Sequence, residues 1–257
     1  SQDVLSSSQQ QRLLQAAGHL DREEDLETSC EQLLQRLQRQ ARRRWGAFYT
    51  PAPLVEFVAR RATQLLASDG AAISPKEPVR WLDPAMGTGT FVLAVLRRLA
   101  AEAPSASGAH QICGGERMLS AFVVAAIRVA AEFQRRPVGC AALPVFPLQR
   151  VDTLSEAFQR GCSPFQVIVG NPPYAANSTN EHAWIKRLLR GRYPGSPVNY
   201  YQAGGRPIGE RKSWLHDDYV KFFRVAQWQV ERAGSGLIAF VTNHAFLDNA
   251  TFRGMRE

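Results

Sequence analysis

The 257-residue sequence is short of the features that mark several protein classes. Its four cysteines (Cys30, Cys113, Cys140 and Cys162) lie far apart and form no CxxC pair. That excludes a disulfide-rich class and reads as free thiols in a reducing cytoplasm. No uninterrupted apolar run approaches the ~20 residues of a membrane-spanning helix. The opening stretch SQDVLSSSQQQ has no apolar core of the kind a secretory signal carries. No Gly-Lys-Ser/Thr follows any glycine-rich turn, which argues against a triphosphate loop. His19, His110, His182, His216 and His244 show no ligand spacing, so no metal is expected. There is no internal repeat and no low-complexity tract. What remains is an ordinary globular balance, 45% apolar and 21% charged, enough for one large domain or two small ones. The formal charge of +8 permits a nucleic-acid partner without proving one. The chain opens on Ser1 rather than Met and stops at Met255-Arg256-Glu257 in a helical pattern, so a piece of something longer is expected.

Residues 1–45 read as a helical segment, with Leu26, Cys30, Leu33, Leu34, Leu37 and Ala41 on one face. Acidic residues come first and Arg42-Arg43-Arg44 last, which complements the helix dipole and favours a surface helix over a phosphate contact. From residue 46 onward helices and strands alternate. Pro53 starts a helix whose face is Leu54, Phe57, Val58, Arg61 and Leu65. Strands follow at 80–82, 111–113, 148–151, 165–169 and 236–241, with helices at 91–103, 118–133 and 214–231 between them. This alternation predicts an α/β fold with a doubly wound parallel sheet covered on both faces.

Four local patterns carry chemistry. In Leu82-Asp83-Pro84-Ala85-Met86-Gly87-Thr88-Gly89-Thr90-Phe91 a strand enters a glycine turn and leaves as a helix. Such a turn lets backbone approach a ligand closely, and free N–H groups at the helix start can hold an anionic group. Glu116, past the end of the next strand, can accept from a ribose diol, although an acid at a helix start is also common. Asp152 ends a third strand, where it can accept from an adenine amine, cap the following helix, or do both. The most specific pattern is Val167-Ile168-Val169-Gly170-Asn171-Pro172-Pro173-Tyr174. A buried strand delivers an amide oxygen and a proline carbonyl of fixed direction, two acceptors matched to a planar NH2 group. Tyr174 adds a face on which a base can stack.

These motifs resemble the S-adenosylmethionine (SAM)-dependent amino-methyltransferases, in particular the N6-adenine DNA methyltransferases in gamma-class motif order. Gly46-Ala47-Phe48-Tyr49-Thr50-Pro51 resembles the family's N-terminal cofactor motif, and residues 83–91 its glycine-rich motif. The stretches 214–222 and 236–248 are most like the methyltransferase part of type ISP restriction–modification enzymes. The resemblance implies a Rossmann-like methyltransferase domain over residues 46–257, without the two C-terminal strands and the target-recognition domain of the family. It implies SAM as cofactor, held by Phe48, Thr50, Asp83, Ala85, Gly87, Gly89, Phe91, Glu116 and Asp152. Asn171 and Pro172 would accept from the N6 amine of a flipped adenine, with Pro173 fixing the backbone and Tyr174 stacked on the base. Double-stranded DNA is the implied partner, with helicase, nuclease and target-recognition parts elsewhere in the full-length protein.

Residues 175–213 form a basic and aromatic insertion carrying Lys186, Arg187, Arg190, Arg192, Arg206, Arg211 and Lys212, together with Trp184, Tyr193, Tyr200 and Tyr201. It follows Tyr174 directly, so it is expected to face DNA, its cations on phosphates and its aromatics able to fill the gap of a flipped base. Three alternatives stay open: methylation of a protein glutamine or an RNA base, N4-cytosine methylation, and a non-catalytic SAM- or DNA-binding module.

Overall fold

The structure, a computed structural model, describes residues 3–4, 50–68, 78–102, 110–135, 148–174, 180–209 and 212–257. The helical reading of residues 5–45, with Arg42-Arg43-Arg44, lies outside these residues, as do Phe48 and Arg211. Asp3–Val4 departs from that reading: it is a short strand (β1) that pairs antiparallel with a sheet edge.

Helix α1 (Ala52–Ser68) leads into β2 (Val79–Asp83), α2 (Thr90–Glu102), β3 (His110–Glu116), α3 (Leu119–Gln134) and β4 (Leu148–Arg150). Then come α4 (Glu156–Gly161), β5 (Val167–Gly170), α5 (Ala183–Leu189) and a small hairpin, β6 (Gln202–Ala203) and β7 (Arg206–Pro207). A 3₁₀ turn (Lys212–His216), α6 (Asp218–Ala233), β8 (Leu237–Phe240), α7 (Ala245–Asp248), a second 3₁₀ turn (Ala250–Phe252) and α8 (Arg253–Arg256) complete the chain. The main sheet has the order β1-β4-β3-β2-β5-β8, parallel throughout except for β1.

Strand alternation explains the two covered faces. Trp81, Ile112, Val167 and Val169 point to one side, where Val55 and Ala59 of α1, Val92 and Leu96 of α2, and Phe122 and Val129 of α3 pack on them. Leu82, Cys113 and Ile168 point to the other, against Phe158 of α4 and Ala226 of α6. Strands buried on both faces read as continuous apolar runs, as Val167-Ile168-Val169 does.

Two helices depart from their expected outlines. The buried face of α1 is Val55, Ala59, Ala62 and Thr63, while Leu54 and Phe57 are exposed. Small residues let α1 lie close to α2, and that contact outweighs the larger side chains on the neighbouring face. The helix expected at 214–231 is broken by Asp217, whose side chain accepts from the Tyr219 amide and restarts the chain as α6. Among the described residues no helix is long and apolar enough to cross a membrane.

The chain order reverses at β2: β3 and β4 are laid down to one side of it, β5 and β8 to the other. Open α/β sheets bind ligands outside the carboxyl ends of strands at such a point. Here β2 ends in Asp83 and β5 in Gly170, on adjacent strands whose register aligns Leu82 with Ile168. Gly170 has φ +144, and a Cβ at this position would lie 2.7 Å from Asp83 Oδ1. Gly170→Ala is therefore expected to cost roughly 1–3 kcal/mol of stability in urea unfolding, from backbone strain and contact with the carboxylate.

Candidate active site

The glycine turn is held from three sides. From below, Arg128 of α3, itself buried, donates to the Thr88 carbonyl at 2.9 Å and contacts the hydroxyls of Thr88 and Thr90 at 3.2 Å each. From β3, Glu116 accepts from Gly87 N at 3.0 Å and from Met118 N at 2.6 Å. From the loop after β4, Thr153 Oγ1 donates to the Pro84 carbonyl at 2.6 Å. Gly87 (φ +55) faces open space, whereas a Cβ on Gly89 would press on Ala125 of α3. Gly87 thus leaves room for a ligand and Gly89 for a helix. Phe91 is buried in the core beneath the turn, so it holds the turn in place rather than lining open space.

Asp83 sits at the centre of this arrangement. Its Oδ1 accepts from Ala85 N at 3.1 Å, while the buried Oδ2 has no hydrogen-bond partner. Burial pushes its pKa from 3.8 up to about 8; the Ala85 amide offsets part of that, and the charge of Glu116 adds to it. Glu116 is raised as well, chiefly by burial against the pull of its backbone donors. A buried acid with one oxygen lacking a partner, beside an open glycine turn, fits the ammonium group of an amino-acid moiety. The residues at the turn therefore fit SAM: Asp83 would meet the cation, Gly87 leaves open space beside it, and Glu116 has lone pairs still open.

Asp152 has both oxygens engaged. Its Oδ1 accepts from Leu154 N at 3.0 Å, and its Oδ2 lies 3.0 Å from His182 Nε2. The local cap and a lone pair free for an amine are compatible. Ser155, not Asp152, caps α4.

At the tip of β5, Asn171 Nδ2 donates to Thr50 Oγ1 at 2.9 Å. Tyr174 OH lies 3.0 Å from Asn171 Oδ1 and 2.8 Å from the Val241 carbonyl after β8. Its ring tilts against Tyr219 with centroids 5.9 Å apart. Burial, and then the Asp217 charge, push the Tyr174 phenol up to about 12, so it stays a neutral donor. Thr50, expected at the cofactor, thus meets the amide of Asn171. Pro172 is buried and Pro173 half-buried between Asn171 and Tyr174.

Residues 22–194 match the family profile described as N-6 DNA methylase. The chain belongs to that family. No curated protein matches the sequence. Solved structures that share the fold include DrdV in its complex with DNA, with TM-score 0.67 and 24% identity over 94% of this chain and 25% of that one. A nuclease-deletion mutant of the type ISP restriction–modification enzyme LlaGI, in complex with a DNA substrate mimic, gives 0.66 and 20% over 93% of this chain and 21% of that one. The ATP-dependent type ISP enzyme LlaBIII bound to DNA gives 0.59 and 22% over 83% and 16%. The chain thus spans a quarter or less of the length of these structures.

Within the expected DNA-facing insertion, the described residues 180–209 pack onto the domain. Trp184, Ile185, Leu188 and Leu189 of α5 pack against Tyr219, Val225 and Trp228 of α6. Trp184, Tyr200 and Tyr201 are buried there, which corrects the expectation that they are free to replace a flipped base. Lys186, Arg187, Arg190, Arg192 and Arg206 are exposed. Lys186 pairs with Glu181, Arg187 lies 3.8 Å from Glu156, and Arg190 stacks 4.2 Å over Tyr201. Lys212 lies in the 3₁₀ turn before α6. Arg128 and Thr153 are site residues the sequence reading missed; a single arginine in the apolar run 121–131 is the signal that was there to find.

The raised pKa of Asp83 carries a sign. Between its ordinary value of 3.8 and about 8 the folded protein keeps a proton that the unfolded chain has released, so this group costs more stability as pH rises. Asp83→Asn has no such proton. Its stability relative to the parent should increase across pH 4–8 and level off above about 8 in urea unfolding; a pH-independent difference would contradict the buried state of Asp83.

Proposed function

We propose that this chain is the methyl-transferring domain of an adenine-specific DNA methyltransferase in a restriction–modification or phage-defence system, with SAM as cofactor and the N6 amine of adenine as acceptor. The observation that supports the reading is the meeting of two strand tips: β5, which leads into Asn171, ends next to β2, which ends in Asp83 and leads into the glycine turn. Membership of the N-6 DNA methylase family supports the same substrate.

The target amine lies inside the duplex stack, so the adenine must rotate out, at a cost of a few kcal/mol. That amine is a poor nucleophile because its lone pair is delocalised into the ring. SAM, when bound, supplies an electrophilic methyl group on a sulfonium. Asn171 Oδ1 and the Pro172 carbonyl accept the two N–H bonds, draw the nitrogen toward tetrahedral geometry and stabilise its developing positive charge. The prolines fix the direction of the second acceptor before the base arrives. Tyr174 supports the ring of the base. Asp83, Ala85, Gly87, Glu116 and Asp152 seat the cofactor, with Gly89 and Phe91 holding the turn from beneath. The exposed cations Lys186, Arg187, Arg190, Arg192 and Arg206, with Arg211 and Lys212, meet DNA phosphates. Residues 46–257 act as the methyltransferase unit, with target-recognition, helicase and nuclease parts elsewhere in the full-length protein.

Asn171→Ala should lower methyl transfer to unmethylated plasmid DNA by about 100- to 1000-fold, with SAM affinity nearly intact. Tritium transfer from labelled SAM and calorimetric titration measure the two quantities, and retained turnover would reject the role of Asn171. Glu116→Ala is expected to do the reverse and weaken SAM binding. Reversing the charges of Arg187 and Arg190 should reduce the salt dependence of DNA binding by about one unit of slope for each phosphate no longer neutralised; an unchanged slope would remove them from the DNA surface.

A further inference from the structure

We infer that Thr50 is a positioning residue for Asn171: its hydroxyl, at hydrogen-bond distance from Nδ2, fixes the plane of the amide at the tip of β5. The inference rests on the adenine-methylation reading for its consequence in turnover, and on the geometry alone for the contact.

An asparagine amide is not held by its own torsion. The terminal χ2 angle is broad and close to two-fold, so the orientation of the amide must come from its hydrogen bonds. Orientation matters here. Oδ1 accepts from a target amine only when the amide plane is aimed at it; a hydroxyl can accept or donate, so Thr50 fixes that plane rather than which end of the amide leads. Among the described residues two hydroxyls hydrogen-bond the amide. On one side Tyr174 OH lies 3.0 Å from Oδ1, but the same phenol lies 2.8 Å from the Val241 carbonyl, which can only accept. One proton between two acceptors leaves Oδ1 unsaturated, which suits a site awaiting a donor but fixes the amide weakly. On the other side Nδ2 donates to Thr50 Oγ1 at 2.9 Å, across 121 residues of sequence.

The position of Thr50 is itself well determined. Its side chain is buried. The next residue, Pro51, has its carbonyl fixed by the amides of Leu54 and Val55 at 2.9 and 3.2 Å, the first turn of α1. Helix α1 packs against β5 and β8, the strand that ends in Gly170 and its neighbour. The hydroxyl is therefore carried to the tip of β5 by a helix docked on β5 itself. A flexible surface threonine would order the amide poorly; one anchored at a helix start orders it before substrate binds.

Thr50→Val keeps the shape and removes the hydroxyl; Thr50→Ser keeps the hydroxyl. The test uses the full natural chain, unmethylated plasmid DNA and labelled SAM. Thr50→Val should lower kcat roughly 10- to 100-fold, as a misoriented catalytic group does, with SAM affinity close to that of the parent. Thr50→Ser should recover most of the loss. Unchanged kcat in Thr50→Val, a loss confined to SAM affinity, or failure of Thr50→Ser to recover would each overturn the inference, the second by assigning the hydroxyl to the cofactor. A second readout does not depend on turnover. The Asn171 side-chain amide protons, followed by NMR hydrogen exchange, should exchange faster in Thr50→Val than in the parent or Thr50→Ser; equal exchange overturns the inference. A parent protein that transfers no methyl group to DNA, yet shows this exchange pattern, counts against the adenine reading and not against the role of Thr50.

Discussion

The carboxyl ends of β2 and β5 lie side by side, and Gly170 lets them do so. Any side chain there would meet the Asp83 carboxylate. The glycine turn leaves one strand and the Asn171-Pro172-Pro173-Tyr174 segment leaves the other, so neither half needs a long loop to reach its partner. The reversal of chain order at β2 opens a crevice at this place. On the proposed reading the methyl donor and the amine would thus meet at one place by topology.

The least comfortable groups of the sheet gather at the same place. Asp83 is buried with an oxygen lacking a partner, and Glu116 is raised by burial beside it. Each costs stability. A cationic group arriving at Asp83 would turn the desolvated carboxylate from a cost into a contact, because an opposite charge nearby favours the ionised form. The surroundings are correspondingly rigid: Arg128, Glu116 and Thr153 brace the turn through backbone atoms on three sides. Strain that collects where the neighbours over-determine the geometry is the pattern of a preorganised site.

Much of this was legible in the residues. The order of strands and helices from β2 to β8 follows from apolar runs bounded by polar turns, and the glycine and proline motifs lie at strand ends because both need backbone that leaves a sheet abruptly. Less legible was anything decided by long-range contact. The face that α1 buries follows from the closeness of α2, not from its own largest side chains, so Leu54 and Phe57 misled. The break at Asp217 was hidden because the apolar pattern continues through it. Thr50 acts on an atom 121 residues away, and no local pattern announces such a bond; for Arg128 the sequence shows an isolated charge in an apolar run but not its partner.

The segment after Tyr174 shows how a fold sorts one composition into two tasks. Aromatic and basic residues alternate along it, which on sequence alone joins them in one DNA-binding role. Folding separates them: Trp184, Tyr200 and Tyr201 turn inward onto α6, while Lys186, Arg187, Arg190, Arg192 and Arg206 remain outside. The anchor is Arg224 of α6, wholly buried, which reaches the Leu188 carbonyl, the Ser196 hydroxyl and, at 3.6 Å, Glu231. A buried arginine is costly unless each donor is matched, so the insertion has few other ways to sit on the helix. That rigidity matters for charge. Cations on a fixed platform lose less conformational freedom on meeting a phosphate backbone than cations on a mobile loop, so the same side chains contribute more to association. On the proposed reading the aromatic half of the pattern would serve DNA binding indirectly, by holding the basic half still.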